Sequence, residues 1–375
     1  MESIKKWVWQ HQDYPNFPYD FKELDNLLIK TARYVGILEG SIRALDGKYS
    51  QNIKINSATD EILSTSRIEG EILRRDSVRS SVLKRLASFQ LKDDRSTRHT
   101  DGLVDVLVDS SSNHDPLTPE RLHGWHNALF PTGYSGFVKI RVASYRQEDM
   151  RVVSNMGTKE RVHYQAPPPE CIEKEMKKFL DYVNHSTINP YIKSAISHLW
   201  FVIIHPYDDG NGRIARAIAN YVLSKDLKLN CNYFSISSAV MRDRKRYYEI
   251  LERSNNLFYN RDYDFTPWIY WHTDMIYKAI EHSLKTIEIV LQKAKFWDRA
   301  SKYSLNEKQI KVLNKLLDAG EDNFQGGLTN KKYQRITGVA QVTASRHIKD
   351  LVQKGLLREM EGFGGRNTRY EIVWE

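Results

Sequence analysis

The sequence lacks the marks of a disulfide-stabilised protein and of a membrane-spanning one. It has only two cysteines among 375 residues, Cys171 and Cys231, and their wide separation fits neither a disulfide framework nor a zinc site. Its longest apolar run, LWFVII, is far shorter than the roughly 20 residues that cross a bilayer. The first residues, MESIKKWVWQHQDYPN, lack the apolar core of a signal peptide. We therefore expect a cytoplasmic protein without a membrane partner.

What the sequence does contain is typical of a folded globular protein. Hydrophobic residues make up 41% and charged residues 27%, close to the averages for folded domains. The length allows two or three domains. The net charge of +9 favours anionic partners such as nucleotides or nucleic acid, but it does not choose between them.

Apolar residues recur at helical spacing along most of the chain, which predicts a mainly α fold. The polar stretch LKDDRSTRHTDG, residues 91–102, breaks this pattern and is interpreted as a surface loop. Short β-prone runs around NMGTK predict one β-hairpin between Tyr145 and Tyr164. The predicted helices are residues 21–45, 57–68, 116–130, 170–184, 190–204, 213–225, 242–252 and 268–296.

From Ser301 onwards the pattern changes to three short helical units and a glycine turn, GFGGRN, between two extended runs. This order predicts a winged-helix domain, with 13 basic and 9 acidic residues and a net charge of +4. Arg346 and Lys349 on its third helix, with Arg366 and Arg369 in the wing, would suit DNA phosphates. A protein-interaction or dimer module is the alternative. The predicted domains are residues 1–100, 101–300 and 301–375.

The stretch HPYDDGNGRIAR, running from His205 to Arg216, carries the strongest chemical signal. Gly210 and Gly212 flank Asn211 and let the backbone turn its N–H groups inward, just ahead of a helix N-terminus. Arg213 and Arg216 lie three residues apart, so both can contact phosphate oxygens from one face of that helix. The pattern therefore predicts a phosphate site.

Two further residues of the stretch suit nucleotide chemistry. Asp209 offers a hard oxygen ligand of the kind that a phosphate-bridging Mg²⁺ prefers. His205 has the residue type best suited to accept a proton near neutral pH. Together they indicate a nucleoside triphosphate site whose base activates a hydroxyl of another molecule. The alternative is a structural corner in which Asp209 caps the second helix and the arginines are solvated.

The stretch also resembles the Fic family signature H-P-[FY]-x-[DE]-G-N-G-R-x-x-R at every defined position. The resemblance implies an all-α bundle with a β-hairpin flap, and transfer of AMP from ATP to a Ser, Thr or Tyr hydroxyl of a target protein. It also implies site roles. By resemblance, His205 is the base, Asp209 the Mg²⁺ ligand, Gly210 to Gly212 the anion hole, and Arg213 and Arg216 the phosphate clamps.

The resemblance extends beyond this signature. The opening residues look like a module that precedes many bacterial Fic domains. The hairpin at residues 146–164 lies where the family has its flap, on which a target segment is expected to pair as an added strand. The segment RDRKRYYEIL resembles the family segment near the adenine, which implies nucleotide contacts for Tyr247 and Tyr248. Both tyrosines could equally be core aromatics.

An upstream segment, Thr65-Ser66-Arg67-Ile68-Glu69-Gly70, matches the inhibitory pattern [ST]-x-x-x-E-[GN] of the same family. A carboxylate can replace a γ-phosphate in pairing with an arginine, so Glu69 on Arg216 would block productive ATP binding. The alternative is a helix end with an exposed glutamate and a glycine cap.

The resulting hypothesis is a Fic adenylyltransferase autoinhibited by Glu69, with ATP as substrate and Mg²⁺ as cofactor. One alternative is removal of AMP, or transfer of another phosphate-containing group. A different alternative is a DNA-binding regulator that senses nucleotide, against which the intact His205 argues, since a sensor needs no base. DNA at the winged helix and a homodimer stay open.

Overall fold

The computed structural model describes residues 5–87, 93–156, 159–229, 231–323, 326–363 and 365–374. The chain divides into two compact units, Met1–Ser283 and Leu284–Glu375, and helix α11, Thr266–Ala300, contains the boundary. The prediction of a mainly α fold is confirmed. The division into three functional domains stays a prediction. Within the described residues, no helix has the length and apolar character that a membrane crossing requires.

The first unit is a helical bundle with two short hairpins. Strand β1, Tyr134–Ser135, pairs antiparallel with β2, Val138–Lys139. Strand β3, Arg151–Met156, pairs antiparallel with β4, Lys159–Gln165, and residues 157–158 of the predicted flap lie outside the described part. The other helices of this unit are α1 Phe21–Ala44, α2 Gly47–Ile68, α3 Arg75–Leu86, α4 Arg98–Ser112, α5 Pro119–Leu129, α6 Ile172–His185, α7 Pro190–Ile204, α8 Asn211–Leu227, α9 Ile236–Arg242 and α10 Arg244–Asn255.

Helix α7 forms the centre of this bundle. Every residue from Tyr191 to Ile204 is buried, as expected for a helix that is apolar on most faces. The Ser194 hydroxyl donates to the Ala219 carbonyl of α8 at 3.1 Å, and the Trp268 indole donates to the Ala195 carbonyl at 2.8 Å. The turn between α7 and α8 is therefore held between two rigid elements.

The sequence prediction is wrong in the region before α5. The predicted loop at 91–102 contains the start of α4, where Thr97 caps the helix by accepting from the Thr100 N–H; residues 91–92 lie outside the described part. Helix α3 was not predicted, because its buried face is largely serine, and Ser81 donates to Thr100 at 2.9 Å. Buried serines paired between helices carry no apolar periodicity.

Helix α2 is longer than predicted. It begins at Gly47 rather than at residue 57, although its first turns are polar. Ser50 and Ser57 hydrogen-bond Tyr233, at 2.8 Å to its hydroxyl and 3.1 Å to its carbonyl. The tertiary contact therefore stabilises turns that propensity alone does not predict.

The second unit continues with α12, Glu307–Asn323, α13, Asn330–Thr337, and α14, Gln341–Gln353, and ends in an antiparallel pair of strands. The strands are β5, Leu357–Glu359, and β6, Tyr370–Ile372. Three helices and a hairpin are the elements of a winged helix, and that assignment stays a prediction. The core of the unit is built from apolar residues that include Leu313, Leu317, Tyr333, Ile348, Leu351 and Leu356.

Candidate functional site

His205 ends helix α7 in a left-handed conformation, with φ at 51°. Its N–H still donates to the Phe201 carbonyl at 3.0 Å, so the side chain starts from a fixed helix end. Its Nδ1 lies 3.1 Å from the Val202 carbonyl, which can only accept. Nδ1 therefore carries the proton, and Nε2 is left as an acceptor. Burial lowers the pKa of His205, and the hydrogen bond to Val202 opposes this shift only in part. Because the net shift is downward, the ring is neutral near pH 7.

Arg146 fastens the start of the flap to the histidine, a role that the sequence analysis did not assign. The buried guanidinium donates to three backbone carbonyls: that of His205 at 2.8 Å, that of Glu148 at 2.7 Å and that of Pro167 at 2.5 Å. Its backbone N–H donates to the Pro206 carbonyl at 2.9 Å. The flap and the histidine turn therefore form one connected structure.

The Gly-Asn-Gly turn is braced from inside the loop. The Asn211 amide donates to the Tyr207 carbonyl at 2.7 Å and accepts from the Tyr207 N–H at 3.0 Å. The Asn211 side chain is thus engaged by its own loop, which leaves the phosphate contact predicted for this residue to its backbone. Gly210 has φ at 82°, and a Cβ there would lie 2.7 Å from Phe130. Only glycine fits at that position.

Asp209 lies at the N-terminus of α8 with its carboxylate partly exposed. One oxygen accepts from the Ser135 hydroxyl of the short β1–β2 hairpin, and the other accepts from the Gly210 N–H at 2.5 Å. Behind it, the buried His126 ring donates from Nε2 to the Asp209 carbonyl at 3.1 Å, because its Nδ1 accepts from the Ala143 N–H. Burial lowers the pKa of His126 to about 4, so this ring is a neutral support.

The side chains at this end of the helix suit Mg²⁺ only together with a nucleotide. Among the described residues, no three His, Cys, Asp or Glu side chains form a cluster that could hold a metal ion. Mg²⁺ in nucleotide sites is commonly held by one or two carboxylates plus the substrate phosphates. Asp209, exposed beside a helix N-terminus, can supply that single carboxylate.

Arg216 is buried, and each of its three guanidinium nitrogens has a partner. Nε donates to the Thr65 hydroxyl at 2.8 Å, and Nη2 donates to the Thr65 carbonyl at 3.1 Å and to Glu69 Oε1 at 2.7 Å. Nη1 lies 3.5 Å from the Tyr247 hydroxyl. The C-terminal end of α2 therefore engages Nε and Nη2 of this arginine.

The Glu69 carboxylate lies against the first turn of α8. A Cβ placed on Gly212 would overlap Glu69 Oε1 and lie 3.3 Å from Arg216 Nη1. An anionic group, bonded to Arg216, thus already lies beside the first turn of the helix that the sequence predicts as a phosphate site. Glu69 caps α2, and Gly70 follows it with φ at 86°.

Arg213 pairs with a second acid that the sequence analysis did not single out. Its Nη1 donates to Glu71 Oε2 at 3.2 Å, and its guanidinium stacks over Phe130 at 4.8 Å from the ring centre. The other oxygen of Glu71 lies 2.6 Å from His99 Nε2 on α4. Partial burial acts to raise the pKa of Glu71, but the hydrogen bond from His99 and the charges of His99 and Arg213 outweigh it. The net result is a lowered pKa for Glu71. The sequence offered one signal for Glu71, because it lies two residues after Glu69 and so close to the inhibitory pattern.

The two predicted nucleotide-contacting tyrosines differ in placement. Tyr247 is buried, stacks on Trp271 with ring centres 5.5 Å apart, and hydrogen-bonds His198 at 3.1 Å. It belongs to the core that supports Arg216. Tyr248 is partly exposed, and its hydroxyl donates to the Ile68 carbonyl at 2.8 Å. Of the two, Tyr248 has more ring surface available for a ligand.

Strand β4 of the flap is tied to the body of the unit, whereas β3 forms its free edge among the described residues. Arg161 and His163 of β4 contact Glu252 of α10 at 2.6 and 3.1 Å. Val152 and Val153 of β3 are exposed. The unpaired edge of β3 offers backbone groups to an added strand.

Comparison with known proteins gives two family matches within the first unit. Residues 7–87 match a domain of unknown function, DUF4172, and residues 116–223 match the Fic/DOC family. A crystal structure of a Fic family protein from Desulfovibrio desulfuricans G20 covers 96% of this chain and 98% of its own, with a TM-score of 0.54 and 16% identity. At that identity the likeness shows the fold, a Fic-type helical fold.

Curated relatives match over shorter stretches. A protein adenylyltransferase Fic from Nematostella vectensis is 35% identical over 95 residues, which are 24% of this chain and 20% of the relative. A uridine 5′-monophosphate transferase from Xanthomonas campestris is 30% identical over 118 residues, 29% of this chain and 21% of the relative. A probable protein adenylyltransferase from Aquifex aeolicus is 31% identical over 111 residues, 29% of this chain and 30% of the relative. The chain thus spans less than a third of the length of these relatives.

Proposed function

The chain carries a Fic/DOC family domain at residues 116–223, and on that premise we propose that it is a protein adenylyltransferase. It transfers AMP from ATP to a Ser, Thr or Tyr hydroxyl of a target protein. The observation that carries the proposal is the Glu69 carboxylate bound to Arg216 at the N-terminus of α8. A site that already binds one anion beside a neutral histidine is suited to a phosphate and a proton acceptor.

In the proposed reaction, His205 Nε2 accepts the proton of the target hydroxyl as its oxygen bonds to the α-phosphorus of ATP. The bond from that phosphorus to the bridging oxygen breaks, and pyrophosphate leaves. The Gly210 N–H donates to Asp209, so the N–H groups of Asn211 and Gly212 at the start of α8 stabilise the phosphate charge, with Arg213 as a second donor. Asp209 would hold Mg²⁺, which supplies charge neutralisation to the phosphates.

We propose that Glu69 inhibits this reaction in the resting protein. Its carboxylate takes the Arg216 donor and the position above Gly212 that a phosphate would need. Two anions cannot share these donors without strong repulsion. ATP therefore binds in a productive pose only when Glu69 moves away from Arg216.

The target segment is proposed to bind the free edge of β3. Backbone hydrogen bonds along that edge would align a segment of any sequence, so the acceptor hydroxyl is positioned by register. The link from Arg146 to the His205 carbonyl connects the flap to the base, which supports this role.

The transferred group is tested by labelling. Glu69→Gly protein is incubated with cell lysate and either α-labelled ATP or α-labelled UTP. The proposal expects labelled protein bands with ATP and few with UTP, whereas labelling from UTP alone would contradict it and favour the activity named for the Xanthomonas relative. Loss of label from a modified target on adding parent protein would instead indicate removal of AMP.

A separate observation in the second unit favours a DNA-binding role beside catalysis. On α14, Ala344 and Ile348 are buried, whereas Arg346 and Lys349 are exposed. An exposed basic face is what phosphate contacts require. The double variant Arg346→Ala and Lys349→Ala is expected to weaken a gel-shifted DNA complex and reduce its salt dependence, with AMP transfer unchanged. An unaltered complex would favour the protein-interaction alternative.

A further inference from the structure

The two arginines of α8 are held in different ways. Arg216 has every guanidinium nitrogen engaged by Thr65, Glu69 or Tyr247. Among the residues that the structure describes, Arg213 makes one hydrogen bond, to Glu71, and its Nη2 lies 4.0 Å from Asp209. Its Nε has no partner within the described residues. Arg213 is therefore oriented by Glu71, its unpaired Nε is buried, and Nη2 is the guanidinium nitrogen left to donate to a ligand.

Glu71 is itself fixed on both sides. Its backbone N–H donates to the Ser66 carbonyl at 2.9 Å, and its Oε1 is held by His99 at 2.6 Å. Only Oε2 reaches Arg213. A carboxylate anchored in this way cannot follow an incoming ligand or withdraw from it as a free side chain would. It acts as a fixed counter-charge for the buried guanidinium and lies closer to it than Asp209 does.

We propose that Glu71, anchored by His99, is the positioning residue that presents Arg213 to the nucleotide phosphates. This inference rests on the proposed function of the site. The contrast with Glu69 is in placement, since Glu69 lies where a Cβ of Gly212 would stand, over the helix N-terminus. Glu71 instead contacts Arg213 on Nη1 and leaves Nη2 without a hydrogen bond among the described residues.

Two physical terms compete at this contact. The negative charge of Glu71 weakens the attraction between Arg213 and a phosphate, whereas the fixed geometry lowers the cost of ordering a long side chain on binding. The charge effect of Glu71 is reduced because its carboxylate also contacts His99. The ordering cost falls most for an arginine that is already stacked on Phe130 and paired with Glu71. The proposal is that orientation outweighs the lost charge.

The test uses full-length protein in the Glu69→Gly background, where Arg216 has lost its acidic partner but keeps Thr65. Glu71→Gln and His99→Gln each break one contact of the anchored carboxylate, and Glu23→Gln changes an exposed glutamate of α1 as the matched control. Affinity for Mg-ATP is measured by calorimetry, and KM and kcat by transfer of labelled AMP.

Glu71→Gln is expected to weaken Mg-ATP binding and raise KM about tenfold, the scale of one hydrogen bond to a charged group, with a smaller change in kcat. His99→Gln is expected to act in the same direction and to add little to Glu71→Gln, because both work through one contact. Glu71→Asp, which keeps the charge but shortens the reach, should fall between Glu71→Gln and the background. Glu23→Gln should match the background.

Tighter Mg-ATP binding or faster transfer by Glu71→Gln would overturn the proposal and make Glu71 a second inhibitory acid. Unchanged affinity in both Glu71→Gln and His99→Gln would equally overturn it. If the Glu69→Gly background transfers no nucleotide at all, the proposed function fails, and the calorimetric comparison still decides the role of Glu71. Melting curves identify a variant that is unfolded, and His99→Gln then carries the comparison.

Discussion

Arg213 and Arg216 lie one turn apart on α8, yet they meet opposite conditions. Arg216 is hydrogen-bonded by Thr65 and Glu69, whereas among the described residues Arg213 is hydrogen-bonded by Glu71 alone. Both sets of partners come from one short segment, residues 65–71. This one short segment thus places a different acid on each of the two arginines.

The turn at Gly70 makes this division possible. Its φ of 86° is in the left-handed region, which sends the residues before and after it in different directions. Glu69 therefore reaches Arg216, and Glu71 reaches Arg213. The predictions below test whether the two arginines serve one reaction and whether this turn separates them.

The largest effect is expected for His205, the proposed base of the reaction that Arg213 and Arg216 would both serve. In the Glu69→Gly background, His205→Ala should lower AMP transfer roughly 10² to 10⁴-fold while leaving Mg-ATP affinity nearly unchanged, because a general base is lost. Rates of labelled AMP transfer and calorimetry measure the two quantities. His185→Ala, on the exposed end of α6, is the control. Transfer at the background rate would make His205 structural.

The next effect concerns the blocked clamp. Glu69→Gly alone should raise AMP transfer about 10- to 100-fold over the parent, the scale of a charge-assisted hydrogen bond removed from Arg216. Glu69→Asp should give a smaller rise, since the shorter stem can still reach the guanidinium. Arg216→Ala should be poorly active with either residue at position 69. Equal rates for the parent and Glu69→Gly, at saturating Mg-ATP, would remove autoinhibition from the mechanism.

A smaller effect is expected in the pH dependence. Burial lowers the pKa of His205, and the charge of Glu69 acts in the opposite direction. The neutral ring is the active base, and it predominates above its pKa, so the acidic limb of transfer should lie below the pH at which an unperturbed histidine titrates. Glu69→Gly should move this acidic limb further down. A limb above pH 6.5 in a profile of kcat/KM would contradict the assignment of the base.

The smallest effect is expected at the turn that separates the two arginines. Gly70→Ala places a side chain at a left-handed position, which costs about 1 to 2 kcal/mol. The melting temperature should fall by about 2 to 4 °C for each kcal/mol. Gly36→Ala, in the middle of α1 where a Cβ meets no atom within 4 Å, should be stabilising. Equal melting temperatures for Gly70→Ala and the parent would show that the turn is not strained.

Much of the fold was predictable because most helices bury an apolar stripe. Helices α1 and α7 follow from their apolar spacing, within one residue at each end. Helices α3 and α4 did not follow, because Ser77 and Ser81 fill buried positions by pairing with Thr100. Sequence patterns predict that a polar residue is solvent-exposed, and only its tertiary partner shows that it is buried.

The geometry of the turn before α8 was predictable, because residue type and backbone demands coincide there within a few residues, while the roles of its residues stay predictions. Gly210 has both a left-handed backbone and no room for a Cβ, and Asn211 braces the same loop. Arg146 and His126, which support His205 and Asp209 from distant elements, left no comparable signal. Their roles consist of hydrogen bonds to backbone carbonyls, which no residue pattern specifies.

By itself, the sequence determined the helical fold and the local shape of the turn from His205 to Arg216, because short-range backbone geometry and residue type suffice for both. Resemblance to a family added the expectation that Glu69 meets Arg216. Only the tertiary structure decided that Glu71 meets Arg213 across 142 residues, with His99 behind it. That contact depends on how α2 and α4 pack beside α8 and on the direction in which Gly70 turns the chain. Such long-range geometry is set by the whole core, so no local pattern could encode it.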